Sequence, residues 1–112
     1  MRFAKYAVVI CLSLFLVAGV ASAEDKKMKA GFIYVGPVGD YGWSHAHDLG
    51  RKFAEQQHPW LETMFIESVG EADSARIIDR FVQEEKCDVV FTTSFGYMED
   101  TLKAGMKYPN TK

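Results

Sequence analysis

Cysteine is scarce in this chain, with only Cys11 and Cys87 among 112 residues. Cys11 lies inside an N-terminal apolar run that reads as an export leader, so the mature chain keeps Cys87 alone and forms no internal disulfide. Packing has to hold it together, and Cys87 itself reads as a small buried hydrophobe at the entry to a strand. A basic surplus is also missing, with 13 Lys and Arg against 15 Asp and Glu. Removing Arg2 and Lys5 with the leader moves the formal charge from −2 to −4, which argues against nucleic acid or an anionic membrane surface as partner. Proline is limited to Pro37, Pro59 and Pro109, each placed where a predicted element stops. Catalytic signatures are absent too. There is no G-x-S-x-G elbow and no base placed by motif beside a serine or cysteine. Thr92-Thr93-Ser94 stands where a phosphoacceptor domain would need an aspartate. The expectation is a protein that is not an enzyme and carries no cofactor.

What the chain does have begins with an address. Arg2 and Lys5 precede an almost wholly apolar stretch from Ala7 to Val20, and Ala21-Ser22-Ala23 supplies a small-x-small cleavage pattern. The stretch is short for a membrane span, which needs about 20 apolar residues. Residues 1–23 are therefore expected to be a cleaved signal peptide. Cys11 lacks the residues that normally precede a lipid-modified cysteine, which argues against a lipoprotein. Residues 24–112 have room for one modest core, so one domain or part of one is expected.

The mature stretch alternates strand and helix signals. Ala30 to Val35 is a continuous apolar run closed by Gly36-Pro37, the pattern of a strand buried on both faces. Ala46, Leu49, Gly50, Phe53 and Ala54 then recur at helical spacing, predicting an amphipathic helix that buries this row, with Ser44 as its N-cap. His58-Pro59 ends it. Leu61 to Val69 mixes apolar and polar residues as an edge strand does, and Gly70 closes it. Ala72 to Glu85 predicts a second helix, with Ala75, Ile78 and Val82 forming one inward row that Ile77 and Phe81 widen, and Asp73 near its positive end. Asp88 to Thr93 reads as a third, buried strand and Met98 to Met106 as a third helix. The order βαβαβα implies parallel strands with right-handed crossovers, a doubly wound α/β sheet. In the 2-1-3 arrangement the loops after the first and third strands meet at the topological switch point, where ligands bind.

Those loops carry the candidate chemistry. Gly36, Gly39 and Gly42 are spaced G-x-x-G-x-x-G, which matches neither the dinucleotide fingerprint nor the P-loop. His45 and His47 with Asp48 resemble a metal cluster, but residues two apart on a helix point away from each other, so solvated first-turn histidines and no metal are expected. Tyr41 and Trp43 on one lip, Phe95 and Tyr97 on the other, and Asp40 among them suit a flat, partly polar ligand, stacked and hydrogen-bonded. Any one of these rings could instead cap the sheet.

The blocks from Lys29 to Trp43 (KAGFIYVGPVGDYGW), His47 to Lys52 (HDLGRK) and Phe91 to Met98 (FTTSFGYM) resemble the BMP family, the substrate-binding proteins of ABC transporters related to the nucleoside receptor PnrA. The resemblance covers Lys29 to Lys112. It implies the type I periplasmic-binding-protein fold, two doubly wound lobes joined by hinge strands, of which residues 24–112 would be an incomplete N-terminal lobe. It further implies a soluble periplasmic receptor that takes a purine nucleoside or adenine and delivers it to the membrane permease of an importer. Carried over, Asp40 would hydrogen-bond the base and Trp43 would stack on it, with Gly39 and Tyr41 beside them and Ser94, Phe95 and Gly96 forming the second loop. Family members are longer than this chain, so a half-pocket that binds weakly or not at all is expected. A small secreted α/β nucleotide-binding domain or enzyme complete at Lys112, and a remnant without function, remain the alternatives.

Overall fold

The computed structural model describes residues 25–112, and the expected signal peptide lies outside them. Three strands, β1 (Met28–Ile33), β2 (Leu61–Ile66) and β3 (Val89–Thr92), form one sheet in the order β2-β1-β3. All pairs are parallel, with Met28 opposite Leu61 and Ile33 opposite both Ile66 and Thr92. Helices α1 (Trp43–Gln57), α2 (Ser74–Gln83) and α3 (Met98–Lys107) fill the crossovers. The α/β class and the 2-1-3 order are those expected.

The strand in the middle is the apolar one, for the reason the sequence suggests. Ala30, Gly31 and Ile33 of β1 are buried, while β2 is half-covered at the edge. The strand pairing ends before Tyr34, but Tyr34 N still donates to Ile66 O at 2.9 Å and its own carbonyl accepts from Val69 N at 3.0 Å. β3 departs from expectation. It is only partly buried and Phe91 is exposed, because among the described residues its outer edge is met by Lys112 alone. Lys112 N donates to Asp88 O and Val90 N donates to Lys112 O, at 3.0 and 2.8 Å, the pattern of a parallel bridge.

The apolar core lies on one face of the sheet. Ile77, Ile78 and Phe81 of α2 meet Ile33, Val69, Cys87 and Tyr97, while Ala75, expected on the inward row, is exposed one turn before the buried residues. Burial pushes the Cys87 thiol up to about 11, so it stays protonated and behaves as the small hydrophobe expected. Tyr97 is fully buried and donates to Val69 O at 2.6 Å. It belongs to the core, not to a ligand lip.

The other face holds the main correction. Helix α1 was expected to bury Ala46, Leu49, Gly50, Phe53 and Ala54. Instead Ser44, Asp48 and Arg51 are buried, and Leu49 and Phe53 are exposed. The reason is a polar cluster between α1 and the sheet. Arg51 Nε and Nη2 both reach Asp48 Oδ1 at 2.9 Å, its Nη1 donates to Thr63 Oγ1 at 2.7 Å, and its guanidinium lies 4.7 Å from the Phe65 ring centre. Tyr34 donates to Asp48 at 3.4 Å, and Lys52 pairs with the second carboxylate oxygen at 2.9 Å. No buried side-chain nitrogen or oxygen among the described residues lacks a partner. A row of ionisable side chains thus takes the inward face because its charges neutralise one another there.

Candidate functional site

Three loops leave the same end of the sheet, and each is built by a local device. The loop after β1 turns through a 3-10 segment, Val38–Asp40, and Tyr41 takes a left-handed conformation (φ 54°) before α1 starts at Trp43. Asp40 makes this turn possible. Its Oδ1 accepts from Gly42 N at 2.7 Å and His45 N at 3.2 Å, and its Oδ2 from Ser44 N at 3.4 Å. The carboxylate therefore caps the first turn of α1, where backbone donors lack partners inside the helix. Ser44, the expected cap, is buried and accepts from Gly36 N at 3.1 Å.

The Gly42 amide holds the Asp40 carboxyl below its ordinary range; desolvation works against it, and the amides of His45 and Ser44 add to the lowering. A depressed folded-state pKa contributes stability above the unfolded value, about 4 for aspartate, that is lost as pH falls through the folded one. Asp40→Ala is thus expected to lower the melting temperature at neutral pH, with the gap to the unmodified chain closing in acid. Melting curves at several pH values check this.

Trp43 ties two loops together. Its indole Nε1 donates to Thr93 O, just past β3, at 2.6 Å, yet the residue remains 61% exposed. His47 packs on its ring at 4.7 Å between centres and meets Trp43 O through Nδ1 at 2.7 Å. His45 does the same with Tyr41, at 5.0 Å, and meets Val38 O at 3.0 Å. The two histidines are thus engaged with separate aromatic rings and carbonyls. No group of three or more His, Cys, Asp or Glu suited to a metal occurs among the described residues.

The loop after β3 is held from the opposite side of the sheet. Ser94 donates to Glu71 Oε1 at 2.9 Å and accepts from Gly96 N at 3.3 Å. Glu71 belongs to the turn entering α2. Its carboxylate lies so close over Gly96 that a Cβ there would fall 1.9 Å from the Glu71 Cδ. Phe95, between Ser94 and Gly96 in the chain, is 86% exposed, as is Tyr41 on the first loop.

Of the expected site residues, Asp40, Tyr41 and Trp43 thus share one loop, and Ser94, Phe95 and Gly96 share another that Trp43 touches. Gly39 sits in the first turn with nothing within 4 Å of where a side chain would begin. Sequence reading passed over Thr93 and Glu71. Glu71 follows Gly70, which closes the second strand pattern, and so stands at the ligand end of the sheet by the same argument that singled out the other two loops.

A family model described as ABC transporter substrate-binding protein, PnrA-like, matches residues 27–112. The chain is 44% identical over 107 residues to a purine-binding protein of Brucella abortus, covering 94% of this chain and 30% of that one. It is 37% identical over 93 residues to a Haloferax volcanii protein, TsgA13, named as a candidate ABC transporter glucose-binding protein, covering 83% of this chain and 24% of that one. The chain therefore spans less than a third of the length of either relative. Solved structures of ABC transporter solute-binding proteins share its fold. One from Aeropyrum pernix has a TM-score of 0.67 at 20% identity, covering 76% of this chain and 23% of that one. One from Conexibacter woesei has a TM-score of 0.63 at 14% identity, covering 75% and 27%. At these identities the likeness speaks for the fold alone.

Proposed function

The chain belongs to the PnrA-like family of ABC transporter substrate-binding proteins, and from that premise we propose that it forms one lip of the ligand cleft of a purine receptor. The cargo is adenine or a purine nucleoside, handed to the membrane permease of an importer from the periplasmic side. No catalysis is involved. Residues 1–23 serve as the cleaved export signal, and among the described residues no helix is long and apolar enough to cross a membrane.

The observation that carries this reading is the fixed, largely exposed indole of Trp43. Its N–H is spent on Thr93 O, which fixes the ring between two loops, while most of its surface stays open to a stacking partner. An aromatic side chain held this way has lost its rotational freedom before any ligand arrives, so stacking costs less entropy. Tyr41 on the same loop and Phe95 on the loop that Trp43 touches are each 86% exposed. The purine-binding Brucella relative supports the ligand class.

Adenine and adenosine titrated into the chain, followed by ligand-observed NMR, test the proposal. Because one lip encloses a ligand poorly, binding weaker than micromolar is expected. Trp43→Ala should weaken it by about tenfold or more, since stacking on one aromatic ring is worth about 1–3 kcal/mol. Glucose is the competing cargo, given the name of the Haloferax relative. Saturable glucose binding with none of either purine would replace the proposed ligand class.

A further inference from the structure

Four carboxylates stand on the loops at the ligand end of the sheet, and their bonding separates them; Asp73, in the turn entering α2, is paired with Arg76 at 3.2 Å. Asp40 accepts from three backbone amides at the start of α1, which leaves little of its four-lone-pair capacity for anything else. Glu67 accepts from Val38 N at 2.6 Å and so braces the first loop. Glu71 differs, because among the described residues its one donor is the Ser94 hydroxyl. That hydroxyl has a single proton and directs it at Glu71 Oε1, while its oxygen takes the Gly96 amide. The carboxylate is thereby fixed in place with Oε2 and part of Oε1 uncommitted. It lies over Gly96, where only a glycine leaves room for it, and Phe95, next to Gly96 in the chain, is exposed.

We propose that Glu71, not Asp40, is the carboxylate that accepts N–H donors from the ligand at this lip. Resting on the purine reading above, the assignment gives that ligand a defined edge. A flat ring laid against Phe95 presents an exocyclic amino group or ring N–H to Glu71, so the site favours amino-substituted purines over purines without the amino group. An ionised acceptor strengthens such a bond relative to a neutral one. Ser94 is then a positioning residue for Glu71, and Gly96 is small so that the carboxylate can reach the lip.

The test compares adenine with unsubstituted purine on the full chain and on its Glu71→Gln variant, again by ligand-observed NMR. Glutamine preserves size and can still accept from Ser94, so the loop keeps its shape. The expected result is about tenfold weaker adenine binding in E71Q, with the preference for adenine over purine lost. Gly96→Ala, which must push the Glu71 carboxylate aside, should reduce that preference in the same direction. Equal adenine binding by E71Q and the unmodified chain would overturn the assignment while leaving the purine reading standing. Failure of the unmodified chain to bind adenine at all would overturn both.

Discussion

Replacing Arg51 by Leu is expected to cost the fold about 3 kcal/mol, a large share of the roughly 5–15 kcal/mol that holds a domain of this kind together. Arg51 is buried beneath α1 and satisfies Asp48 and Thr63 while covering the Phe65 ring. Leucine would leave the buried Asp48 carboxylate with only Lys52, an exposed partner, and the Tyr34 hydroxyl. The penalty sits at the low end of the range for breaking a buried pair because Lys52 still neutralises Asp48. Asp48→Leu should be costly for the mirrored reason, leaving Arg51 with Glu55 at 3.6 Å. The double variant should cost clearly less than the two singles together, since it strands neither charge. Urea unfolding of the four proteins measures this coupling directly.

The same cluster predicts a pH dependence. Burial works against ionisation of Asp48, but hydrogen bonds from Lys52 and Arg51 and their charges outweigh it, so the carboxyl is held below its ordinary range. Tyr34, buried beside that carboxylate, is pushed up to about 12 and keeps its proton to donate. With the folded pKa of Asp48 depressed, its contribution is complete above the unfolded value of about 4 and fades as pH falls through the folded one. The difference between the unmodified chain and the double Leu variant should therefore narrow in acid.

This cluster is also where the sequence is least legible. Strand order and loop positions follow from signals that depend on the backbone alone. Gly36-Pro37, His58-Pro59 and Gly70 stop elements whatever surrounds them, and parallel crossovers then dictate a sheet with β1 inside. The inward face of α1 follows no such local signal. Its periodic row of Ala46, Leu49, Gly50, Phe53 and Ala54 is a real apolar stripe, yet Asp48 and Arg51 go inward because they lie one turn apart and find Tyr34 just past β1 and Thr63 on β2. Only the tertiary structure supplies those partners. Phe95 and Tyr97 teach the same lesson at the candidate site. Two aromatic residues on one short turn point in opposite directions, because the Tyr97 hydroxyl reaches Val69 O inside while Phe95 has no such partner. Asp40 was legible as a key residue of its loop, but two of its three amide partners, Ser44 and His45, belong to a helix that begins three residues later, a relation that a cap expected next to the helix does not anticipate.

Phe81→Ala is expected to cost about 3–5 kcal/mol, the most of any single change considered, because its ring is fully buried at the centre of the core against β1. What makes the site informative is Gly31 beneath the ring. Glycine inside a strand weakens it and therefore needs a packing reason, and here a Cβ on residue 31 would lie 2.5 Å from Phe81 Cδ2 and 2.9 Å from Cε2. Gly31→Ala should thus destabilise by about 1–3 kcal/mol through overpacking, even though alanine suits a strand better than glycine does. Combining the two changes puts the new methyl into the space that the ring has left. The double variant should be more stable than the sum of the singles predicts, by 0.5 kcal/mol or more on the scale typical of contacting residues (about 0.5–3 kcal/mol). Additive behaviour in urea melts would mean that Gly31 is glycine for a reason other than Phe81. Since β1 leads straight into the Asp40 and Trp43 loop, the seating of that ring on that glycine also sets how firmly the candidate lip is held.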